Sequence, residues 1–476
     1  MARILIIVPS ESYRVASFVN AAAALNVDVV VACDSVTPAI ELSSPDELSP
    51  RILHISLDDL EASTEQIIKM DNILPLDAIV AIDDKGVELA ACASTALGLN
   101  GNKLESATRT LHKDILREVL SGTEVPQPIY RILSNNPSLH DITSAVNTVG
   151  LPCVVKATSL SGSQGIIRAN LPSEVGEAVE RVRNIQIAEG RPDDAILIES
   201  YVDGPEIAVE GLLKDGKLTV LAIFDKPIPL VGPFFEESMY VTPSVHHSSL
   251  LRSAIDTTRR SVEALQLTEG PIHAEIRLEG ARAYLIEVAS RTIGGRCSGM
   301  LQFDNGRSLE EIVIASSLGM GLPASGGVEQ AANKMGVPVA RMGIPASGGV
   351  AREGTAGGTI SSALQSSALQ SSTLRSSALR KSLRLMPGYS GVWMISAPKK
   401  GIIKVIEGLD EARQVESVTS IEITAFPGSE VAPVPDGNRY IGFIFARNNS
   451  RTELIDALHR AASMIYPVIE PTISIK

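Results

Sequence analysis

Three apolar runs near the N-terminus, Arg3–Val8, Val27–Cys33 and Ala78–Ile82, alternate with stretches of helical character. The first leads through a loop, Pro9 to Tyr13, into a helix that reaches Ala24. The third is followed by a helix from about Gly86 to Leu97. Strands interleaved with helices in this way predict a parallel sheet covered on both faces. In such an open α/β domain, ligands gather beyond the carboxyl ends of the strands. Asp83 and Asp84 lie just past one of those ends; a helix cap is the competing reading for Asp84. The loop after the first strand lacks GxGxxG, which argues against a dinucleotide site there.

The 476 residues allow about three domains at ~150 residues each. A single Trp and 4% aromatics against 44% hydrophobic residues leave the cores to aliphatic packing. A net charge of −13 argues against a general nucleic-acid binder, since non-specific affinity needs a cationic surface. Nucleotide binding needs only local positive charge. Cys33, Cys92, Cys153 and Cys297 are widely spaced, with no CxxC, and read as small buried hydrophobes in a reducing cytosol. The run Ile4 to Val8 is too short for a signal peptide, and no stretch approaches ~20 apolar residues. The expectation is a soluble, cytoplasmic protein with no membrane or nucleic-acid partner.

Further along, a helix is expected from Ser106 to about Leu120 and a strand at Cys153–Ala157. A helix from about Ser173 to Ile187, strand Ala195–Ile198, a strand-rich region from Glu206 to Phe224 and helices at Ser248–Leu265 and Ser308–Leu318 follow. Residues 323–387 differ in composition. Pro-Ala-Ser-Gly-Gly-Val occurs at Pro323–Val328 and Pro345–Val350, and Ser-Ser-Ala-Leu-Gln-type pentapeptides repeat from Ser361. A period of five gives neither a helical nor a strand face, so this segment reads as a mobile insertion. Order is expected to return from Gly391, with strands, a short helix at Leu409–Val415 and a helix at Ser450–Met464.

Chemistry is carried by a few short segments. Glu275 alternates with apolar neighbours on one strand, and Glu287 follows a second apolar run after the turn at Glu279-Gly280. Two carboxylates on adjacent strands repel unless a cation lies between them, and oxygen-rich pairs suit Mg²⁺ bound to substrate phosphates. Arg291, four residues after Glu287, offers a planar fork to phosphate or carboxylate. A surface hairpin with scattered charges is the plainer reading. Lys156 ends an apolar strand before Thr158–Gly165, a Ser/Gly loop whose backbone N–H groups can approach phosphate oxygens closely. An ordinary Gly/Ser turn competes with that reading. Lys113 sits in a helix, and Arg117 one turn on reads as a solvated charge. The strand ending at Glu199 turns at Asp203-Gly204, where backbone groups could meet an adenine edge while Glu199 and Glu206 accept from its amino group and the ribose.

In chain order these pieces are a helix lysine, a strand lysine, a Gly/Ser loop, E-x-Y-x-x-G-x-E at Glu199–Glu206, then Glu275 and E-x-x-x-R at Glu287–Arg291. That order resembles the ATP-grasp superfamily over roughly residues 1–320 and 388–476. Within it, His112-Lys113 before Arg117, Asp225-Lys226-Pro227, Phe235-Glu236-Glu237-Ser238 before Pro243, and Gly270-Pro-Ile-His273-Ala-Glu275 look most like the L-amino acid ligase branch, as does Gly294-Gly295 after Arg291. The resemblance implies a multidomain α/β and α+β chain. It would hold an N-terminal parallel α/β (pre-ATP-grasp) domain at 1–105 and ATP-grasp small and large subdomains at 106–200 and 201–322. The 323–387 insertion and a C-terminal α+β closing domain at 388–476 complete it.

The resemblance also implies an ADP-forming carboxylate–amine ligase using ATP and Mg²⁺, with Mn²⁺ also suitable. Lys113 and Lys156 would hold the nucleotide, with Ser161, Gly162, Ser163, Gln164 and Gly165 as the lid over its phosphates. Glu199, Tyr201 and Val202 would form the adenine hinge and Glu206 the ribose ligand. Glu275 and Glu287 would hold the metal, with Arg291 and Lys156 catalytic. Glu237, His273, Ser290, Gly294 and Gly295 would border the substrates. His273 also reads as a satisfied core histidine, and the two glycines leave volume for a larger second substrate. Ala289 stands where much of the superfamily has a metal-binding Asn, so a complete second metal site is not expected. A biotin-carboxylase-like or purine-pathway enzyme, or a non-catalytic ATP-binding module, are the alternatives. Partners are small carboxylates and amines, and a homodimer is implied.

Overall fold

The computed structural model describes residues 1–9, 12–34, 51–321 and 383–471. The N-terminal alternation does form a parallel sheet, ordered Arg51–His54, Asp28–Cys33, Arg3–Val8, Ala78–Ala81. The central strand is buried on both faces: Ile4, Ile6 and Val8 enter one core and Leu5 and Ile7 another. Asp83 and Asp84 stand at its carboxyl edge, in the turn before helix Val87–Leu97.

A four-stranded antiparallel sheet follows, ordered Tyr130–Leu133, Ile196–Ser200, Cys153–Ala157, Ile166–Ala169. Helices Leu139–Val149 and Pro172–Ala188 pack on it. The helix expected from Ser106 to Leu120 is two helices, Leu104–Leu111 and Lys113–Ser121. His112 between them is extended, and the Lys113 amide donates to the Thr158 carbonyl at 2.9 Å instead of to a helical partner. Lys113 therefore begins a helix and faces the Gly/Ser loop.

The largest element is an eight-stranded antiparallel sheet. Its order is Arg282–Ala289, Gly270–Glu279, Glu206–Lys214, Lys217–Asp225, Met239–Thr242, Tyr389–Ile395, Gly442–Asn448, Val418–Ile423. The last three strands come from the C-terminal region, so that region continues the sheet. It also adds a three-stranded sheet, Glu430–Val431, Gly401–Glu407, Tyr466–Glu470, and helix Arg451–Met464, which buries Leu454 and Leu458. One core joins Ile4 and Phe18 of the N-terminal domain to Phe224, Tyr240 and Phe443 of the large sheet. The first domain is thus fixed against the sheet that carries the carboxylates.

Most of the 323–387 segment, including the duplicated hexapeptide and the pentapeptide repeats, lies outside the described residues. Its last residues are described: Leu383 is buried, and the Met386 amide donates to the Gln302 carbonyl at 2.8 Å.

Candidate active site

A cleft of about 1500 Å³ opens where the parallel domain, the four-stranded sheet and the eight-stranded sheet meet. Of the residues singled out from sequence, Lys113, Lys156, Ser161 to Gln164, Glu199, Tyr201, Val202, Glu206, Glu237, His273, Glu275, Glu287, Arg291, Gly294 and Gly295 line it. Gly165 and Ser290 do not. The Gly165 amide donates to the Pro435 carbonyl at 2.9 Å. Its φ is +67°, and a Cβ there would lie 2.8 Å from the Ala157 Cβ, so glycine is necessary at this position. The Ser290 hydroxyl pairs with that of Thr110 at 2.9 Å.

Two buried lysines converge at one end. The Lys113 ammonium donates to the Leu160 carbonyl at 2.6 Å and lies 3.2 Å from Glu287. Lys156 reaches Glu199 Oε2 at 2.7 Å, while Arg117 Nε takes Oε1 at 2.6 Å. Arg117 is fully buried and also donates to the Ile286 carbonyl at 2.7 Å. It is not a solvated charge: a guanidinium in this interior persists because a carboxylate neutralises it. Glu199 is corrected in turn. Both its oxygens are engaged and its side chain is 2% exposed, so the carboxylate anchors two cations rather than reaching for an adenine amino group. Burial raises its pKa, and the charges of Arg117 and then Lys156 outweigh that, leaving it lowered to about 2.

Glu206 is held by Lys226 at 2.5 Å and Arg277 at 2.9 Å. Arg277 also takes the Val202 carbonyl at 2.9 Å and lies over the Tyr201 ring at 5.1 Å, so it organises the expected hinge. The period-2 alternation of its strand was visible in sequence; its partners, 71 and 75 residues away, were not.

Glu275 and Glu287 are direct register partners on neighbouring antiparallel strands, with a bulge just after Glu275. Among the described residues each keeps one carboxylate oxygen without a protein partner: Glu275 uses Oε1 for Lys226 at 2.9 Å, and Glu287 uses Oε1 for Lys113. Two such oxygens on one face of the hairpin, at the cleft wall, fit a hard divalent cation completed by water or phosphate. Glu206, Glu237 and Glu275 also converge, with carboxylate oxygens within 4.8 Å of one another. An ammonium already sits there, since Lys226 contacts all three at 2.5, 2.5 and 2.9 Å. Burial pushes the Glu237 carboxyl up to about 7, with Lys226 opposing and Glu275 adding to the rise. His273 lies 3.3 Å from Glu210 and 3.6 Å from Glu275; burial lowers its pKa, but those carboxylates bring it up to about 8. It lines the cleft and is also held from behind.

Arg291 is clasped by Asp84, Nε to Oδ1 and Nη2 to Oδ2, both at 2.9 Å. The cap at this turn is Asp83, which accepts from the Asp84 amide at 2.9 Å, so the capping reading belongs to Asp83. On its Cβ side Gly295 meets a close neighbour and Gly294 a looser one, while both line the cleft. A Cβ on Gly295 would lie 2.1 Å from the Met394 methyl, and one on Gly294 would lie 3.3 Å from Arg14 Nη2.

Comparison with known proteins agrees with this architecture. Residues 149–300 match the ATP-grasp domain family and residues 393–470 match L-amino acid ligase C-terminal domain 2. The alanine–anticapsin ligase of Bacillus subtilis is 26% identical over 254 residues, 49% of this chain and 52% of that protein. The chain therefore spans about half the length of the curated relatives it matches. The crystal structure of an L-amino acid ligase from Bacillus licheniformis superposes with a TM-score of 0.74 at 21% identity, covering 99% of both chains. A phosphoribosylglycinamide synthetase from Anaerococcus prevotii gives 0.62 at 14% identity, covering 98% of this chain and 100% of its own. The fold is the ATP-grasp fold, and the resemblance to the ATP-grasp superfamily, most like its L-amino acid ligase branch, is borne out.

Proposed function

We propose that this chain, an ATP-grasp fold closed by a C-terminal domain like that of L-amino acid ligases, is an ATP-dependent, ADP-forming carboxylate–amine ligase. It would join an amino acid or other small carboxylate to an amine. One observation carries the reading: Lys113, Lys156, Glu275, Glu287 and Arg291, drawn from four separate segments, line a single cleft beneath the Gly/Ser loop. In the first step a carboxylate oxygen attacks the γ-phosphorus, the bond to the bridging oxygen breaks, and ADP leaves. In the second an amine attacks the acyl-phosphate carbon, the C–N bond forms, and inorganic phosphate departs with the C–O electron pair while nitrogen sheds a proton to water.

Such transfers need positioning and charge neutralisation more than covalent catalysis. Lys113 and Lys156 supply fixed positive charge at the phosphate end, each held by a carboxylate and ready to share its other protons. Arg291 presents a guanidinium whose plane Asp84 fixes. Glu275 and Glu287 would hold Mg²⁺ or Mn²⁺, which would supply positive charge against the phosphates. Small-molecule partners, a homodimer and a cytoplasmic location belong to the same reading. Among the described residues no helix is long and apolar enough to cross a membrane.

The test is a pairwise amino-acid screen read by phosphate release and product mass, with biotin plus bicarbonate as a separate arm. Amine-dependent ADP release that Glu287→Ala abolishes supports the reading. Full turnover in that variant, or turnover only with biotin and bicarbonate, overturns it.

A further inference from the structure

A second cavity, of about 600 Å³, lies at the end of helix Lys113–Ser121 that is remote from the ATP-grasp cleft. There the segment after that helix meets helix Ser248–Ala264 and the edge strand Arg282–Ala289. The ligase reading gives this cavity no task. Leu120, Val125 and Ala283, all buried, supply apolar walls. Two exposed arginines, Arg260 and Arg282, stand against one carboxylate, Glu124, a local excess of positive charge in a chain of net charge −13. Among the described residues neither guanidinium has an ion pair. Arg260 touches only the carbonyls of Asp256 and Glu124, both at 3.4 Å.

The edge strand adds a backbone donor. Ala283 pairs in register with Leu278, but the Leu278 amide turns away to the Pro205 carbonyl at 2.9 Å, and the Ala283 carbonyl takes the Thr257 hydroxyl at 3.2 Å. In an antiparallel strand the N–H and C=O of one residue face the same side. The Ala283 amide therefore faces outward, and among the described residues nothing accepts from it. An acceptor is orphaned as well. Gln127, also lining the cavity, donates Nε2 to the Arg117 carbonyl at 3.2 Å, while its buried Oε1 has no partner among the described residues. Unpaired guanidinium forks and an N–H suit an oxyanion. The orphaned oxygen asks for a hydroxyl or amine donor, and the volume suits an organic molecule larger than a bare ion.

We propose that this cavity is an effector site for a small organic oxyanion, a carboxylate or phosphate monoester that also carries a hydrogen-bond donor. Two elements link it to the nucleotide end of the cleft. Gln127 holds the backbone of Arg117, whose side chain secures Glu199 and through it Lys156. Tyr284, at the cavity, precedes Glu287 on the same strand. An anion that draws Arg282 and Gln127 toward itself acts on both elements. Binding of the anion stands apart from the ligase reading; its effect on nucleotide rests on that reading, and the coupling is reciprocal.

The experiment titrates malate, glycerol 3-phosphate and, as a neutral control, glycerol into the full chain by calorimetry. At least one anion should bind saturably with Kd below about 1 mM, and glycerol should not. The two anions tell a carboxylate site from a phosphate site. Arg260→Gln combined with Arg282→Gln should weaken that binding at least about tenfold, the scale of a lost hydrogen bond to a charged group. Both side chains are exposed, so Tm without anion and the affinity for ADP without anion should stay unchanged. With Mg²⁺ in excess, the saturating anion should shift Kd for ADP by at least about fivefold in wild type and not in the double variant. No saturable binding, binding that glycerol matches, or binding that the double variant keeps overturns the proposal. Anion binding that leaves ADP affinity unmoved overturns the effector role. A protein that binds the anion through these arginines but binds no ADP would sink the ligase reading and leave the anion site standing.

Discussion

Glu199 places its two oxygens on cations from two different elements, the helix of Arg117 and the strand of Lys156. Its folded pKa of about 2 lies below the ordinary 4.5, so its ionisation contributes stability that is fully present above 4.5 and lost as pH falls toward 2. Glu199→Gln should therefore be less stable than wild type at neutral pH and should flatten the acid limb of a Tm-versus-pH curve between those values. Breaking the pair from the other side should be severe. Arg117→Met leaves a buried carboxylate with one cation and should destabilise the fold by about 3–5 kcal/mol in urea titration. Asp84 acts through another residue. Asp84→Asn keeps the size but releases the charge that fixes Arg291, and should lower kcat by at least about tenfold, as for loss of a charge-assisted bond, with the KM for ATP unchanged. Equal loss in an Arg291→Ala background would show that the two residues act independently.

Elements were legible where their signal is local. Apolar runs marked the strands Arg3–Val8, Asp28–Cys33 and Cys153–Ala157, and lysines at their ends or beside a Gly/Ser loop stood out against that background. What escaped depends on partners distant in the chain. Arg117 looks like any helix arginine until Glu199, 82 residues on, is brought to it, and Asp84 meets Arg291 across 207 residues. The break at His112 was hidden for the same reason, because the Thr158 carbonyl that draws off the Lys113 amide follows a strand 45 residues on. The Cβ side of Gly295 looked like space since nothing local reveals Met394, which arrives from a C-terminal strand. Met394→Ala should therefore widen the range of accepted side chains in the pairwise screen; an unchanged range would place the size limit elsewhere.

At the scale of the whole molecule, the site lies on a seam. Arg14 and Asp84 come from the parallel domain, Arg291 from the edge of the large sheet, and one hydrophobic core runs between them. Removing residues 1–105 would strip apolar surface from Phe224, Tyr240 and Phe443, and the remainder should aggregate or bind a hydrophobic dye. A folded, dye-silent fragment would contradict the shared core. The seam has a second side. The Gly/Ser loop is tied to the C-terminal region, with Gly165 N–H on the Pro435 carbonyl and Gln164 on the Asp436 carbonyl at 3.1 Å. Arg181 holds the Asp436 side chain as well, at 2.8 Å. On the ligase reading, spent nucleotide leaves when those ties open, so the C-terminal region would share in setting the dwell time of ADP. Arg181→Ala, which removes one half-exposed pair, should shorten that dwell about two- to fivefold in a stopped-flow displacement of fluorescent ADP. On that reading the C-terminal residues would govern how often the cleft is vacated, and with it the pace at which a new pair of substrates could enter.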